Sequence, residues 1–317
     1  MVVAVVPTML APLANWRRAP RRPPALRAGD VVAVLAPASA AHPRRIRRGA
    51  RALERLGFVV HVYRQAFARH GHFAGRDRQR AAALCRALLD PAVRAVIFTR
   101  GGFGSARLLP LVEAALVHSR PKIVVGYSDA TSLLTFLTGK LGWVTFHGPM
   151  VATDFPELAA ADRSALLDML QGERPKPLRL AATIRSGVAE GRLFGGCLSI
   201  LVSLLGTPYA ASLAGRIAFI EDVNEEPYSL DRMLTQLRQS GELGKARGIV
   251  FGEMKNCGSR RELLAVLRER TADLGIPVAF GLPSGHGRGK RTLALGARAR
   301  LDAGRRVLEI VERGVSK

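Results

Sequence analysis

A serine set among small residues, directly after an apolar run, is the feature of this chain most able to do chemistry. It lies in Val124-Val125-Gly126-Tyr127-Ser128-Asp129-Ala130, ahead of a helical pattern from Thr131 to Leu141. A buried strand that turns sharply through Gly-x-Ser-x-small into a helix lifts the serine hydroxyl clear of a sheet. The helix N-terminus adds a field that favours a developing oxyanion. Ala130 stands where the second glycine of such a turn is usual. The same residues would also serve simply to cap the next helix, so locally both readings stay open. A second turn, Thr99-Arg100-Gly101-Gly102-Phe103-Gly104-Ser105, also follows an apolar run. Its glycines let backbone N–H groups approach a reacting carbonyl oxygen, so Gly101 or Gly102 could donate beside the N–H of Asp129. As a phosphate cradle it lacks the Lys-Ser/Thr of a P-loop, and its Gly-Gly-x-Gly spacing fits a dinucleotide fingerprint poorly. A plain tight turn is the other reading.

A serine nucleophile needs a base, and the base needs an acid to orient it. Of the seven histidines, His286 lies in the glycine-rich stretch Gly281-Leu282-Pro283-Ser284-Gly285-His286-Gly287-Arg288-Gly289, after an apolar run. Loops on a rigid scaffold are where catalytic groups concentrate. His147, in Phe146-His147-Gly148-Pro149, reads as a substrate contact or as a residue behind the site. His42, His61, His70, His72 and His118 have no comparable setting and read as surface or filling residues. For the acid, Glu221 ends the apolar run Arg216-Ile217-Ala218-Phe219-Ile220, though Glu225 and Glu226 allow a solvated acidic loop instead. The order Ser…Glu…His occurs in known triads.

These residues need a scaffold, and the apolar runs describe one. Val31–Ala36, Phe58–Val62, Ala95–Phe98 and Ile123–Val125 predict strands, with helices through Ile46–Leu56, Asp77–Leu89 and Ala106–Val117 between them. That alternation predicts a doubly wound α/β domain over residues 27–172, with ligands beyond the carboxyl ends of a parallel sheet. Around residues 173–187 the rhythm breaks at Pro175 and Pro177, which reads as a linker. Residues 188–317 read as a smaller, β-rich domain containing the runs 217–220, 248–251 and 278–280.

At 317 residues, two domains are the default. The formal net charge of +23 raises nucleic-acid binding. The excess is mostly arginine dispersed from Arg17 to Arg313, without aromatic interleaving or a nucleic-acid motif, so a solvated basic surface is the expectation. DNA retention that fell steeply with salt would support the binder. Three cysteines, Cys85, Cys197 and Cys257, show no metal spacing and no even disulfide framework, as expected of a cytoplasmic protein. No apolar run reaches the roughly 20 residues that span a membrane. Residues 1–26 read as a disordered extension: Met1 to Ala14 is apolar, but the arginines follow it, the reverse of an export signal.

Taken together, these segments resemble the LD-carboxypeptidases, a serine peptidase family that includes microcin C self-immunity proteins. The matching stretches are Val34-Leu35-Ala36-Pro37-Ala38-Ser39, Arg100 to Leu109, Gly126 to Thr131 and His147-Gly148-Pro149-Met150. They continue through Gly195-Gly196-Cys197-Leu198-Ser199, Gly206-Thr207-Pro208, Ile220-Glu221-Asp222 and Gly285-His286-Gly287. Each motif is weak alone; their order and spacing, from about Arg27 to near Glu312, are specific. The resemblance implies Ser128 as nucleophile, His286 as general base and Glu221 as its partner. Beside the resemblance, the residues themselves suggest an oxyanion hole from Gly102 and Asp129, and substrate contacts from Gly101, His147 and an arginine of the same turn, Arg100 or Arg107. The resemblance also implies a homodimer, no metal or cofactor, and murein tetrapeptide as substrate, cut before its terminal D-alanine. An aminoacyl-nucleotide amide of the microcin type is the alternative substrate, and neither nucleic acid nor membrane is an expected partner. Cys197 stands where the family usually has asparagine, and Leu295 replaces a common proline.

Overall fold

A computed structural model describes residues 20–317. Residues 20–26, placed above in the extension, are tied to the fold. Arg21 N–H donates to Gly142 O at 2.7 Å, Ala25 N–H to Ser316 O at 2.8 Å and Leu26 N–H to Leu170 O at 2.8 Å. The rest of the expected disordered extension, residues 1–19, lies outside the described residues.

The strand–helix alternation is present as β1 (Val31–Leu35), α1 (Pro43–Glu54), β2 (Val59–Val62), α2 (Asp77–Leu89), β3 (Val93–Phe98), α3 (Leu109–Leu116), β4 (Ile123–Gly126), α4 (Thr131–Gly139) and β5 (Thr145–His147). These strands lie parallel in the order β5-β4-β3-β1-β2. β1 and β4 are covered on both faces, which is why each reads as an unbroken apolar run. Local chemistry starts the helices: Pro43 opens α1 where a missing N–H costs little, and His42 caps it by accepting from Arg44 N–H at 3.2 Å. From β1 the chain steps outward to β2 and returns to β3 on the other side of β1. The loops after β1 and β3 therefore border one crevice at the carboxyl ends of the strands. There Phe103 N–H donates to Ser39 Oγ at 3.0 Å.

Beyond α5 (Ala160–Leu170) come β6 (Leu178–Arg179), β7 (Ala182–Arg185), β8 (Val188–Cys197), α6 (Leu198–Ser203), β9 (Arg216–Val223), α7 (Pro227–Gln239) and β10 (Gly248–Lys255). α8 (Arg260–Thr271), β11 (Val278–Gly285), β12 (Leu293–Leu295), β13 (Arg298–Asp302) and β14 (Val307–Ile310) complete the order. The second sheet runs β6-β14-β13-β8-β9-β10-β11-β7, parallel from β8 to β11 and antiparallel outside them. Residues 173–187, read above as a linker, thus contain β6 and β7, the two edges of this sheet. Strands this short, beside prolines, have no alternation to reveal them. In addition, β12 pairs antiparallel with β5, Leu293 opposite His147 and Leu295 opposite Thr145, so the carboxyl-terminal segment returns to the first sheet.

Side-chain alternation along β9 decides which way the acids point. Ile217 and Phe219 join the core shared with the first sheet, while Ala218 and Ile220 join a second core beneath α6, α7 and α8. Continuing that period of two, Glu221 emerges toward the first sheet and Asp222 toward α6. Asp222 there accepts from Ser199 N–H at 2.7 Å. In the first core, Phe98 is fully buried, and a Cβ on Gly126 would lie 2.8 Å from its ring. Phe98→Ala is expected to cost about 3–5 kcal/mol, seen as a lower urea midpoint at unchanged slope.

Candidate active site

Ser128 joins β4 to α4 with φ +61°, a left-handed conformation rare for a residue with a side chain. The helix-cap reading of this serine is not what the structure shows: neither the short turn Ser128–Ala130 nor α4 has a side-chain cap. Among the described residues the Ser128 hydroxyl makes no hydrogen bond. The strain therefore presents a hydroxyl rather than satisfying it.

Two loops converge on this serine. The buried Asp129 carboxylate accepts from Gly104 N–H at 3.3 Å and Ser105 N–H at 2.8 Å, which stitches the glycine loop to the serine turn. Burial raises its carboxyl above the ordinary range, against the pull of the Ser105 and Gly104 donors. Gly101 lies directly against Ser128: a Cβ there would sit 2.7 Å from Ser128 Cβ and 3.2 Å from Asp129 N. Gly102 packs on Ser39, whose hydroxyl also bonds His72. Neither Ser39 nor His72 is singled out by the sequence as part of the site: His72 reads there as a surface or filling residue, and Ser39 falls in one of the matching motifs. Arg100 is exposed, its Nη1 3.5 Å from Ala40 O, whereas Arg107 is paired with Asp77 at 2.7 Å.

Glu221 and His286 meet from β9 and from the end of β11. His286 Nδ1 lies 2.7 Å from Glu221 Oε2, and His286 backbone N–H donates to the same oxygen at 3.1 Å. A carboxylate only accepts, so Nδ1 carries the proton and Nε2 is left as the basic nitrogen. Glu221 is fully buried. Burial alone would push its carboxyl up; the two histidines beside it, His147 and His286, outweigh that and bring it to about 2. His147 is 1% exposed, so it sits behind the pair rather than on a surface that substrate could touch. Tyr127, next to the serine in sequence, meets the His286 ring edge-on, with centroids 5.0 Å apart. Lys290 then fastens the histidine loop to the first domain, donating to Gly285 O at 2.9 Å and lying 3.4 Å from Asp154 Oδ1. Lys290 carries no motif that would single it out in the sequence.

Gly285 makes the His–Glu contact possible. It holds φ +119°, and a Cβ on it would lie 2.5 Å from Glu221 Oε2. Gly285→Ala is expected to cost about 1–3 kcal/mol and to push the acid off the imidazole, so activity should fall further than the melting temperature alone explains. Cys197 forms the floor nearby: its N–H donates to Thr131 Oγ1 at 3.1 Å, and its thiol lies 3.5 Å from Asp222 Oδ1. Burial, with Glu221 and Asp222 close by, raises that thiol well above the ordinary range, so it is no nucleophile.

Residues 32–148 match the family model described as LD-carboxypeptidase N-terminal domain, and residues 190–301 the LD-carboxypeptidase C-terminal domain. The chain is 37% identical over 306 residues to a probable murein peptide carboxypeptidase of Bacillus subtilis, covering 93% of this chain and 96% of that one. The crystal structure of muramoyltetrapeptide carboxypeptidase from Oxalobacter formigenes is similar at a TM-score of 0.80 and 32% identity, covering 88% of this chain and 97% of that one. MccF, the microcin C7 self-immunity protein of Escherichia coli, is 27% identical over 100% of this chain and 99% of its own. A structure of MccF with glutamyl sulfamoyl guanosine has a TM-score of 0.85 at 25% identity, covering 94% of this chain and 100% of that one.

Proposed function

The chain belongs to the LD-carboxypeptidase family, and we propose that it releases the terminal D-alanine of murein tetrapeptide by serine acyl transfer. The observation that carries this reading is the buried Glu221 holding His286 through Nδ1, in contact with the turn that strains Ser128. His286 Nε2 takes the proton of Ser128 as its oxygen attacks the carbonyl of the L-configured diamino acid. The backbone N–H groups of Gly102 and Asp129 receive the oxyanion. His286 then protonates the departing D-alanine, and water releases the acyl group by the same steps in reverse. Glu221 stays ionised throughout and stabilises the imidazolium.

The peptide's carboxylates suit a basic cleft, and Arg100, which makes no ion pair among the described residues, is the cation we assign to them. We place the reaction in the cytoplasm, in peptidoglycan recycling by a homodimer. Three unpaired cysteines support a reducing compartment, and no described helix is long and apolar enough to cross a membrane. The likeness to MccF supports a second reading, hydrolysis of an aminoacyl-nucleotide amide, for which the exposed Phe103 would offer a stacking face. Mass spectrometry of the protein with murein tetrapeptide, beside an aminoacyl sulfamoyl nucleoside, separates the two. Loss of one alanine is the expected result. Cleavage of the nucleoside conjugate alone would replace the first reading with the second.

A further inference from the structure

The buried wall behind His286 holds two polar atoms that make no hydrogen bond, and they face each other. Glu221 Oε1 and His147 Nε2 are both fully enclosed and without a hydrogen-bond partner among the described residues, 3.7 Å apart. Two such groups, each costly alone, satisfy one another when a small rotation of either side chain closes the gap. We propose that His147 is a positioning residue: its Nε2–H holds the second oxygen of Glu221, so that the acid is gripped from both sheets. The proposal rests on Glu221 and His286 acting together in the reaction described above.

The donors and acceptors close only one way. Glu221 accepts and cannot donate while ionised, so His147 must present its proton on Nε2. Nδ1 is then an acceptor, and Ser284 Oγ lies 3.3 Å from it, with a hydroxyl proton to give. Oε2 is meanwhile occupied by His286 Nδ1–H and His286 N–H. The chain of contacts is thus Ser284 to His147 to Glu221 to His286, leaving His286 Nε2 as the one ring nitrogen open for catalysis. His147 is fixed by its backbone at the end of β5, opposite Leu293, and by its ring edge-on to Phe219 with centroids 4.8 Å apart. Without it, a carboxylate held at one oxygen could turn about its last side-chain bond and carry Oε2 away from the imidazole. Misplacement of that size costs catalysis more than binding.

The first test needs no substrate. In protein labelled with 15N-histidine, long-range proton–nitrogen spectra, assigned with His147→Gln, are expected to show His147 as the Nε2–H tautomer. An Nδ1–H tautomer would overturn the proposal. Kinetics with murein tetrapeptide form the second test. His147→Leu is expected to lower kcat by roughly 10–100-fold, with KM little changed. His147→Gln, whose amide N–H reaches the same oxygen, should recover most of the loss. If Leu and Gln variants of equal stability were equally impaired, His147 would be a packing residue only. Should the wild type leave the tetrapeptide intact, the substrate reading fails while the tautomer still decides the role of His147.

Discussion

Ser128→Ala is expected to lower kcat for D-alanine release by about 10⁴–10⁶-fold, with the folded structure and peptide binding retained. The loss is this large because the members of a nucleophile–base–acid set act as a unit: His286 has nothing useful to deprotonate once the hydroxyl is gone. What remains is the oxyanion donors and binding. The φ of +61° at this position adds a second, independent expectation. Alanine keeps the strain, whereas glycine removes it, so Ser128→Gly should be more stable than wild type by about 1 kcal/mol and equally inactive. Isothermal binding of the uncleaved peptide, single-turnover kinetics and thermal melts measure the three quantities separately. An alanine variant with near-normal turnover would remove Ser128 from the mechanism.

Glu221→Gln should be the next most damaging change, at about 10⁴-fold in kcat. The amide is nearly isosteric, but it can donate where only acceptance is wanted and favours the wrong imidazole tautomer. The same substitution reports on stability. Glu221 is held near 2 in the folded protein, below its ordinary 4.5. A depressed carboxylate stabilises the fold at pH above the unfolded value, and that contribution is lost as pH falls through about 2. Wild type should therefore lose stability more steeply than Glu221→Gln between about pH 5 and pH 2, read from urea midpoints across that range. Parallel curves would show that the acid is not held ionised by His147 and His286.

The first domain was largely legible because its strands are buried on both faces and its helices start with clear signals. Asp77–Leu89 came out with the bounds expected of it, and β1 and β4 appeared where the apolar runs stood. The second domain was read less completely. β6 and β7 are edge strands too short to show a period, and α6, α7 and α8 supply more helix than its glycines and short runs suggested. For the candidate site, Ser128 and His286 stood out as candidates because each sits in a glycine-bearing turn after an apolar run, and Glu221 because it ends one. That Glu221 rather than Asp222 faces the first sheet follows only from the position of β9 between two cores.

Sequence by itself determined the types and order of the groups that could react, and the alternation of elements that carries them, because both are local properties. Which groups meet was decided by tertiary structure. Glu221 and His286 are 65 residues apart and touch only because β9, β10 and β11 are parallel neighbours with their carboxyl ends level. His147, open in the sequence between a substrate contact and a residue behind the site, is a buried neighbour of the acid because β5 faces the second sheet there. Contacts of that range depend on strand order and packing, and no spacing within one segment encodes them.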